Sequence, residues 1–237
     1  RTMALVAATL GCSDDAAEYD AAAASLRRHF NRRLFDRRAG AYRDGVGTDH
    51  HSLHANIFPL CFGMAEAKDV PSILRFVRSR GMACSVYGAQ FLLDALYVAG
   101  EDGYALDLIR SDAERSWYNM IRAGSTVSME AWADRYKPNQ DWNHAWGAAP
   151  ANVIPRQLMG VKPVEAGFSR IEIRPRPGDL RTASLRMPSV RGDIDVAFEN
   201  GSSEFVLRVD VPANMRADVF LPLSSSVRDY ELTEEGK

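Results

Sequence analysis

Cysteine is scarce in this sequence. The chain has 237 residues and three cysteines, Cys12, Cys61 and Cys84, none of which belongs to a Cys-x-x-Cys pair. An odd number at wide spacing predicts neither a disulfide framework nor a zinc site. We expect free, buried thiols.

The sequence also lacks an excess of charge of either sign. Lys and Arg total 29, Asp and Glu total 31, and the formal net charge is -2. Nucleic-acid binding proteins carry a clustered basic surface, so this balance argues against such a partner.

Long hydrophobic runs are missing as well. No stretch approaches the roughly 18–20 apolar residues of a membrane span, so no membrane partner is predicted. The apolar segment 1–12 has one leading Arg and a pair of small residues, Ala7 and Ala8. We interpret it as the end of a helix that starts upstream, not as a signal peptide.

The first half of the chain has helical periodicity. The apolar positions 19, 23, 26, 30 and 34 recur at spacings of three and four, which places them on one helical face. Further helices are predicted over 53–67, from Asp69 to Gly81, over 85–99 and over 104–122, the last two ending before glycines. Their starts lie about 16–18 residues apart. This rhythm is typical of stacked helical hairpins, arranged as a barrel of paired helices or as an α-solenoid.

The pattern of apolar and polar residues changes after Met159. Short alternating segments, separated by Pro and Gly, predict strands over 168–174, 183–187, 193–198, 204–209 and 217–221. The sequence Glu199-Asn-Gly-Ser202 is a hairpin signal. We therefore predict two domains, residues 1–159 and 160–237, the second a small antiparallel β-sandwich with a loose polar tail after Leu223.

A segment between these domains is rich in aromatic and ionisable residues. Within 24 residues, 124–147, it holds three of the four tryptophans. Aromatic faces stack on sugar rings, and carboxylates bind hydroxyls or move protons, so the segment is a candidate carbohydrate site. The candidate residues are Glu130, Trp132, Asp134, Asp141, Trp142, His144 and Trp146.

Each of these residues also has an ordinary structural interpretation. A tryptophan on a helix is more often part of the core, and Glu130 alone is compatible with a surface position or a helix cap. His144 follows Asn143 at an apparent helix start and is equally compatible with a structural role. Asp134 and Asp141 fit surface or turn positions.

Several segments, in order along the chain, resemble glycoside hydrolase family 78, the bacterial α-L-rhamnosidase-like enzymes. Thr126–Trp132 (TVSMEAW) is similar to the segment that carries the general-base glutamate of the family, and Asn143–Gly147 (NHAWG) to the segment that follows it. Met159–Gly178 resembles the crossing into the C-terminal β-domain, and Ser85–Gly100 a barrel helix. The resemblance extends from about His50 to Leu223.

The resemblance implies a fold and a mechanism. The fold would be part of an (α/α) toroid of six helical hairpins, followed by a β-sandwich. The reaction would be inverting glycoside hydrolysis, with Glu130 as the general base and a general acid about 6.5–9.5 Å away. His144 would bind a sugar hydroxyl, Trp132 and Trp146 would wall the pocket, and no metal or cofactor would be required. The compartment stays open between periplasm and cytoplasm.

Two departures from the family pattern affect these expectations. Met129 stands where the family often has Trp, which bears on sugar contacts. The chain has room for about half of the toroid, and no segment matches the motif that carries the acid. We therefore expect an apolar flank that associates with the missing N-terminal half or with a second copy.

Two alternatives to a hydrolase follow from the same residues. The first is a carbohydrate-binding or assembly fragment without turnover, which would lack the general acid. The second is a helical scaffold with a β-sandwich used for protein contacts, which would need a wholly buried tryptophan cluster.

Overall fold

A computed structural model of the chain describes residues 1–222, 229–231 and 233. These residues belong to two compact units, Arg1–Ala149 and Pro150–Lys237. Most of the predicted loose tail after Leu223 lies outside the described residues. None of the helices within the described part combines the length and the hydropathy that crossing a membrane requires.

The first unit is built from helices, as predicted. One short hairpin of two-residue strands, β1 (Phe35–Asp36) and β2 (Ala41–Tyr42), interrupts them. The helices are α1 (Thr2–Thr9), α2 (Ser13–Leu34), α3 (His54–Cys61), α4 (Val70–Arg80), α5 (Val86–Val98), α6 (Asp102–Ile109) and α7 (Trp117–Arg122), and a 3₁₀ turn, Ala145–Gly147, follows them. Helix α8 (Ala149–Val153) begins at the last residue of this unit and belongs to the second unit from Pro150 onward.

The centre of the helical unit is α5. It packs against α3 and α6. Ser85 caps its N-terminus by accepting a hydrogen bond from the backbone N–H of Gly88 (3.0 Å). Buried residues occupy most of the circumference of α5, as expected for a helix covered on both sides. They are Val86, Gly88, Ala89, Leu92, Leu93, Ala95, Leu96 and Tyr97.

The predicted helix over 104–122 is wrong, because the chain divides there into α6 and α7. The hydroxyl of the buried Ser116 donates to the carbonyl of Ala113 (2.5 Å) and accepts from the N–H of Asn119 (3.1 Å). A side chain that caps a new helix competes with continuation of the old one. The predicted helix over 53–67 is also shorter, since α3 ends at Cys61.

An apolar face of the helical unit is open to solvent. Helix α1 is apolar all round, which is typical of a helix buried by neighbours on every side. Yet Leu5 is 69% exposed and Leu10 is 73% exposed, and Leu26 on α2 is 63% exposed. The predicted apolar face of α2 is therefore covered only in part: Phe30 packs on Tyr42, whereas Tyr19 and Leu26 are exposed.

The second unit contains the predicted strands and one more. Sheet β5-β6-β7 is antiparallel throughout, and Ile194, Val196 and Phe198 point into its buried side. The strands are β3 (Val161–Pro163), β4 (Arg170–Ile173), β5 (Thr182–Ser189), β6 (Gly192–Asn200), β7 (Phe205–Asp210) and β8 (Arg216–Val219). The predicted fold class, helical hairpins followed by an antiparallel β-domain, is confirmed.

Two details of the second unit were not predicted. Strand β3 is too short to show alternation; it pairs with β4, and Gly160 precedes it because a Cβ there would lie 2.0 Å from the carbonyl oxygen of Arg174. Strands β4 and β8 are parallel, with Ile171 opposite Ala217. Hairpin signals predict pairing only between strands that are consecutive in sequence. Strands β4 and β8 are separated by β5–β7, and this connection is long enough to allow parallel pairing.

Candidate active site

The candidate base lies on a segment that pairs with the chain further on. The N–H of Glu130 donates to the carbonyl of Asp141 (2.9 Å), and the N–H of His144 donates to the carbonyl of Ser128 (2.8 Å). The hydroxyl of Ser128 donates to the carbonyl of His144 (2.6 Å). This antiparallel pairing brings the two recognised motifs together, although neither belongs to a regular strand.

The pairing depends on a glycine at the end of the second motif. A Cβ at Gly147 would lie 2.5 Å from the carbonyl oxygen of Met129 and 2.9 Å from the Cβ of Ser128. Any larger residue would push these backbones apart. The indole N–H of Trp117, at the start of α7, donates to the carbonyl of Gly147 (2.6 Å) and so ties the pair to the helices.

The carboxylate of Glu130 is engaged on both oxygens. Lys137 forms an ion pair with Oε1, and the backbone N–H of Asp141 donates to Oε2 (3.1 Å). The hydrogen bond from Lys137 first, and that from Asp141 second, lower the pKa of Glu130 below its usual value. The group is therefore ionised at neutral pH, and its side chain is 23% exposed.

An aromatic wall stands beside this carboxylate. The ring of His144 lies 5.1 Å from that of Trp146, edge to face, and Trp146 lies 5.5 Å from Tyr87 on α5. Trp146 is 67% exposed, so its ring is available to a ligand. Polar atoms of Glu130, Asp141 and His144 all lie within 4.8 Å of one another. The structure thus brings together three of the predicted site residues, Glu130, His144 and Trp146.

Trp132 is placed elsewhere, in the core. It is 3% exposed, its indole N–H donates to the carbonyl of Cys84 (2.7 Å), and its ring meets that of Trp117 edge to face at 5.2 Å. A buried indole with its only donor satisfied has nothing to offer a ligand. We therefore assign Trp132 to anchoring the site segment to the start of α5, which corrects its expected role as a pocket wall.

The other candidates take supporting positions. Asp134 accepts hydrogen bonds from the side chains of Gln140 (2.7 Å) and Trp142 (3.3 Å). The carboxylate of Asp141 is 77% exposed, and it lies 3.9 Å from Nδ1 of His144. The structural interpretations of Asp134 and Asp141 as surface residues agree with these positions.

One group in the described part of the chain has the spacing of a metal site. It is the same set, Glu130, Asp141 and His144. The ammonium of Lys137 already supplies a positive charge to Glu130, and exposed groups of this kind are common without an ion. We assign no metal to this group.

Two residues around the candidate site were missed by sequence reasoning. Lys137 follows Glu130 by seven residues across an irregular loop, where no periodicity indicates which side chain turns back. Tyr87 lies at the start of α5, more than 50 residues from Trp146 in sequence. The sequence pointed to Tyr87 only because this residue lies in Ser85–Gly100, the segment that resembles a barrel helix.

Comparison with known proteins extends over nearly the whole chain. Residues 1–158 match the model of the bacterial alpha-L-rhamnosidase 6 hairpin glycosidase domain. Residues 160–234 match the model of the bacterial alpha-L-rhamnosidase C-terminal domain.

Full-length relatives are much longer than this chain. An alpha-L-rhamnosidase of Alteromonas sp. (strain LOR) is 28% identical over 96% of the chain and 26% of its own length. One from Formosa agariphila is 25% identical over 94% of the chain and 25% of its own length. The chain therefore spans about a quarter of these relatives.

Solved structures show the same fold. An alpha-L-rhamnosidase from Dictyoglumus thermophilum superposes with a TM-score of 0.81 at 22% identity, over 92% of this chain and 25% of that one. A GH78 family rhamnosidase of Bacillus sp. GL1 superposes with a TM-score of 0.76 at 25% identity, over 92% of this chain and 24% of its own.

Proposed function

The chain belongs to the bacterial alpha-L-rhamnosidase family, and on that premise we propose that it carries the general base of an inverting α-L-rhamnoside hydrolase. The observation that supports this role is the setting of Glu130. Its carboxylate is held by Lys137 and the N–H of Asp141, close to His144 and beside the exposed ring of Trp146.

In this proposal Glu130 acts as a base on water. Its lowered pKa keeps the carboxylate ionised at neutral pH, the state in which a base accepts a proton. As the water oxygen bonds to the anomeric carbon, one water proton passes to Glu130, and the glycosidic oxygen leaves with a proton from a separate acid. Attack on the face opposite the leaving group inverts the anomeric configuration.

The neighbouring rings supply contacts for the sugar. Trp146 and Tyr87 offer apolar faces of the kind that stack on the C–H groups of a pyranose. The backbone of His144 is bound to Ser128, which holds its ring beside Trp146, and an imidazole nitrogen can accept from or donate to a hydroxyl. We assign Trp146 and His144 to substrate binding on these grounds.

The general acid would come from outside this chain. The chain spans about a quarter of its relatives, and exposed apolar residues on α1, directly after it and on α2, namely Leu5, Leu10 and Leu26, give a surface on which further helical hairpins would pack. We propose that the preceding part of the toroid covers this surface. The second candidate function, sugar binding or assembly without turnover, applies to the chain taken alone.

Glu130→Gln in the intact enzyme tests the role of the base. The amide keeps the shape of the side chain but cannot accept the proton, so kcat should fall about 10²–10⁴-fold while KM changes little. The measurements are steady-state rates on an aryl α-L-rhamnoside and ¹H NMR of the first-formed sugar, which should be the β-anomer. Glu204→Gln, on the loop before β7, is a control for the substitution itself.

Two results would contradict the proposal. One is an intact Glu130→Gln enzyme with full kcat, and the other is a first-formed α-anomer. The isolated chain, assayed beside the intact enzyme, should release no aryl alcohol, whether or not it binds L-rhamnose.

A further inference from the structure

The residue that holds the candidate base was not among those expected at the site. Lys137 places its ammonium on Oε1 of Glu130, with the Lys side chain 42% exposed and the Glu side chain 23% exposed. Exposed ion pairs contribute little to stability, typically about 0–1 kcal/mol. Stabilisation of the fold alone therefore does not explain why this ion pair forms at a candidate catalytic carboxylate.

The loop that carries Lys137 is folded by its own hydrogen bonds. The N–H of Lys137 donates to the carbonyl of Asp134 (3.1 Å), and the N–H of Gln140 donates to the carbonyl of Lys137 (3.1 Å). These successive turns direct the chain back over Glu130.

The side chain of Gln140 ties that loop to the base segment. Its Oε1 accepts from the N–H of Ala131 (2.8 Å), next to Glu130, and its Nε2 donates to Asp134 (2.7 Å). The base and the residue that pairs with it therefore belong to one hydrogen-bonded unit, and the position of Lys137 is set by the fold of the loop.

The two partners of Glu130 fix its carboxylate in two directions. Lys137 binds Oε1, and the N–H of Asp141 binds Oε2 at 3.1 Å. A carboxylate oxygen has two acceptor positions, so each oxygen can still accept from a water molecule. An inverting base must present an oxygen to water along one direction, which favours a carboxylate that cannot rotate.

Resting on the proposed function, we infer that Lys137 is the positioning residue of the general base. Its ammonium holds the Glu130 carboxylate in one rotamer, with an acceptor position on each oxygen left for the attacking water, and extends the ionised form of the carboxylate to lower pH. Lys137 does not contact the reacting atoms in this arrangement; it acts through Glu130.

The pairing with Lys137 also lowers the pKa of Glu130, and this second effect can be measured separately. Lys137 is the largest cause of the lowered pKa of Glu130, followed by the N–H of Asp141, and His144 adds a smaller effect in the same direction. The carboxylate of Asp141 also faces this group, 3.9 Å from His144. Removing Lys137 should therefore raise the pKa of Glu130, so the base loses its proton only at higher pH.

The experiment compares three variants of the intact enzyme. In Lys137→Met the acidic limb of the pH profile of kcat/KM should move to higher pH, and kcat on the plateau should fall about 10-fold or more, with KM little changed. Lys137→Arg keeps the charge, so the acidic limb should stay in place. Arg135→Met removes a cation of the same loop that pairs with Glu114 instead, and it should leave both quantities unchanged.

The outcomes separate this inference from the proposed function. If Glu130→Gln abolishes turnover but Lys137→Met has the pH profile and kcat of Arg135→Met, the positioning role is refuted and the base assignment stands. If Lys137→Met and Lys137→Arg lose activity equally with unmoved acidic limbs, the lysine is only structural and the inference also fails. A full kcat for Glu130→Gln would remove the proposed function itself.

Discussion

Two hydrogen bonds connect Glu130 and Asp141, one between their peptide groups and one to the carboxylate of Glu130. The N–H of Glu130 donates to the carbonyl of Asp141 (2.9 Å), and the N–H of Asp141 donates to Oε2 of Glu130 (3.1 Å). The backbone of Asp141, just before the second motif, thereby orients the side chain of Glu130 in the first. The ten residues between them form a loop whose ends are held together at the candidate base.

Trp132 and Trp146 should respond to substitution in opposite ways. Trp132→Phe removes the donor to the carbonyl of Cys84 in the core, which should destabilise the fold by about 1–3 kcal/mol and leave KM unchanged where the protein is folded.

Trp146→Ala removes an exposed ring, so stability should change by less than about 0.5 kcal/mol. Loss of stacking should raise KM about 2–12-fold, corresponding to about 0.5–1.5 kcal/mol. Urea unfolding and steady-state rates measure the two effects, and a KM defect in Trp132→Phe alone would reverse the assignments.

Asn56 should be among the most sensitive polar positions of the helical unit. It is fully buried, its Oδ1 accepts from the N–H of Tyr42 (2.8 Å), and its Nδ2 donates to the carbonyl of Tyr42 (3.1 Å). Asn56→Ala would leave both peptide groups unpaired, and we expect a loss of at least about 1–3 kcal/mol in the free energy of unfolding. Asn139→Ala, at an exposed position, is the matched control. Equal urea midpoints for the two variants would contradict the prediction.

The turn between β1 and β2 should contribute a pH-dependent term to stability. The hydrogen bond from Arg43, and then that from the N–H of Ala39, lower the pKa of Asp36 to about 2. Because the pKa of Asp36 in the folded state lies below its ordinary value of 3.8, the stabilising effect is fully present above about pH 4 and is lost as the pH falls towards 2.

The test compares unfolding of the wild type and Asp36→Asn across that range. The difference in their free energies of unfolding should be constant at neutral pH and should shrink between about pH 4 and pH 2. Asp49→Asn is the control, since Asp49 approaches the same Arg43 at 3.8 Å but its side chain is 98% exposed. A difference for Asp36→Asn that does not vary with pH would contradict the prediction.

Much of the fold was determined by local signals in the sequence. The cap at Ser85 places the start of α5, and the alternation of Ile194, Val196 and Phe198 places β6 and its buried side. The order of the motifs around Glu130 and His144 was sufficient to predict the family and the candidate base. These signals work because caps, helical periods and strand alternation act over a few neighbouring residues.

Other features were decided only by the tertiary structure. Trp132 points into the core while Trp146 is exposed, Lys137 turns back onto Glu130, and β4 pairs in parallel with β8. Each depends on a contact across an irregular loop or a long stretch of chain, where no repeating pattern links the two partners. The side chains there are directed by hydrogen bonds that exist only after the helices have packed, such as the one from Trp132 to the carbonyl of Cys84.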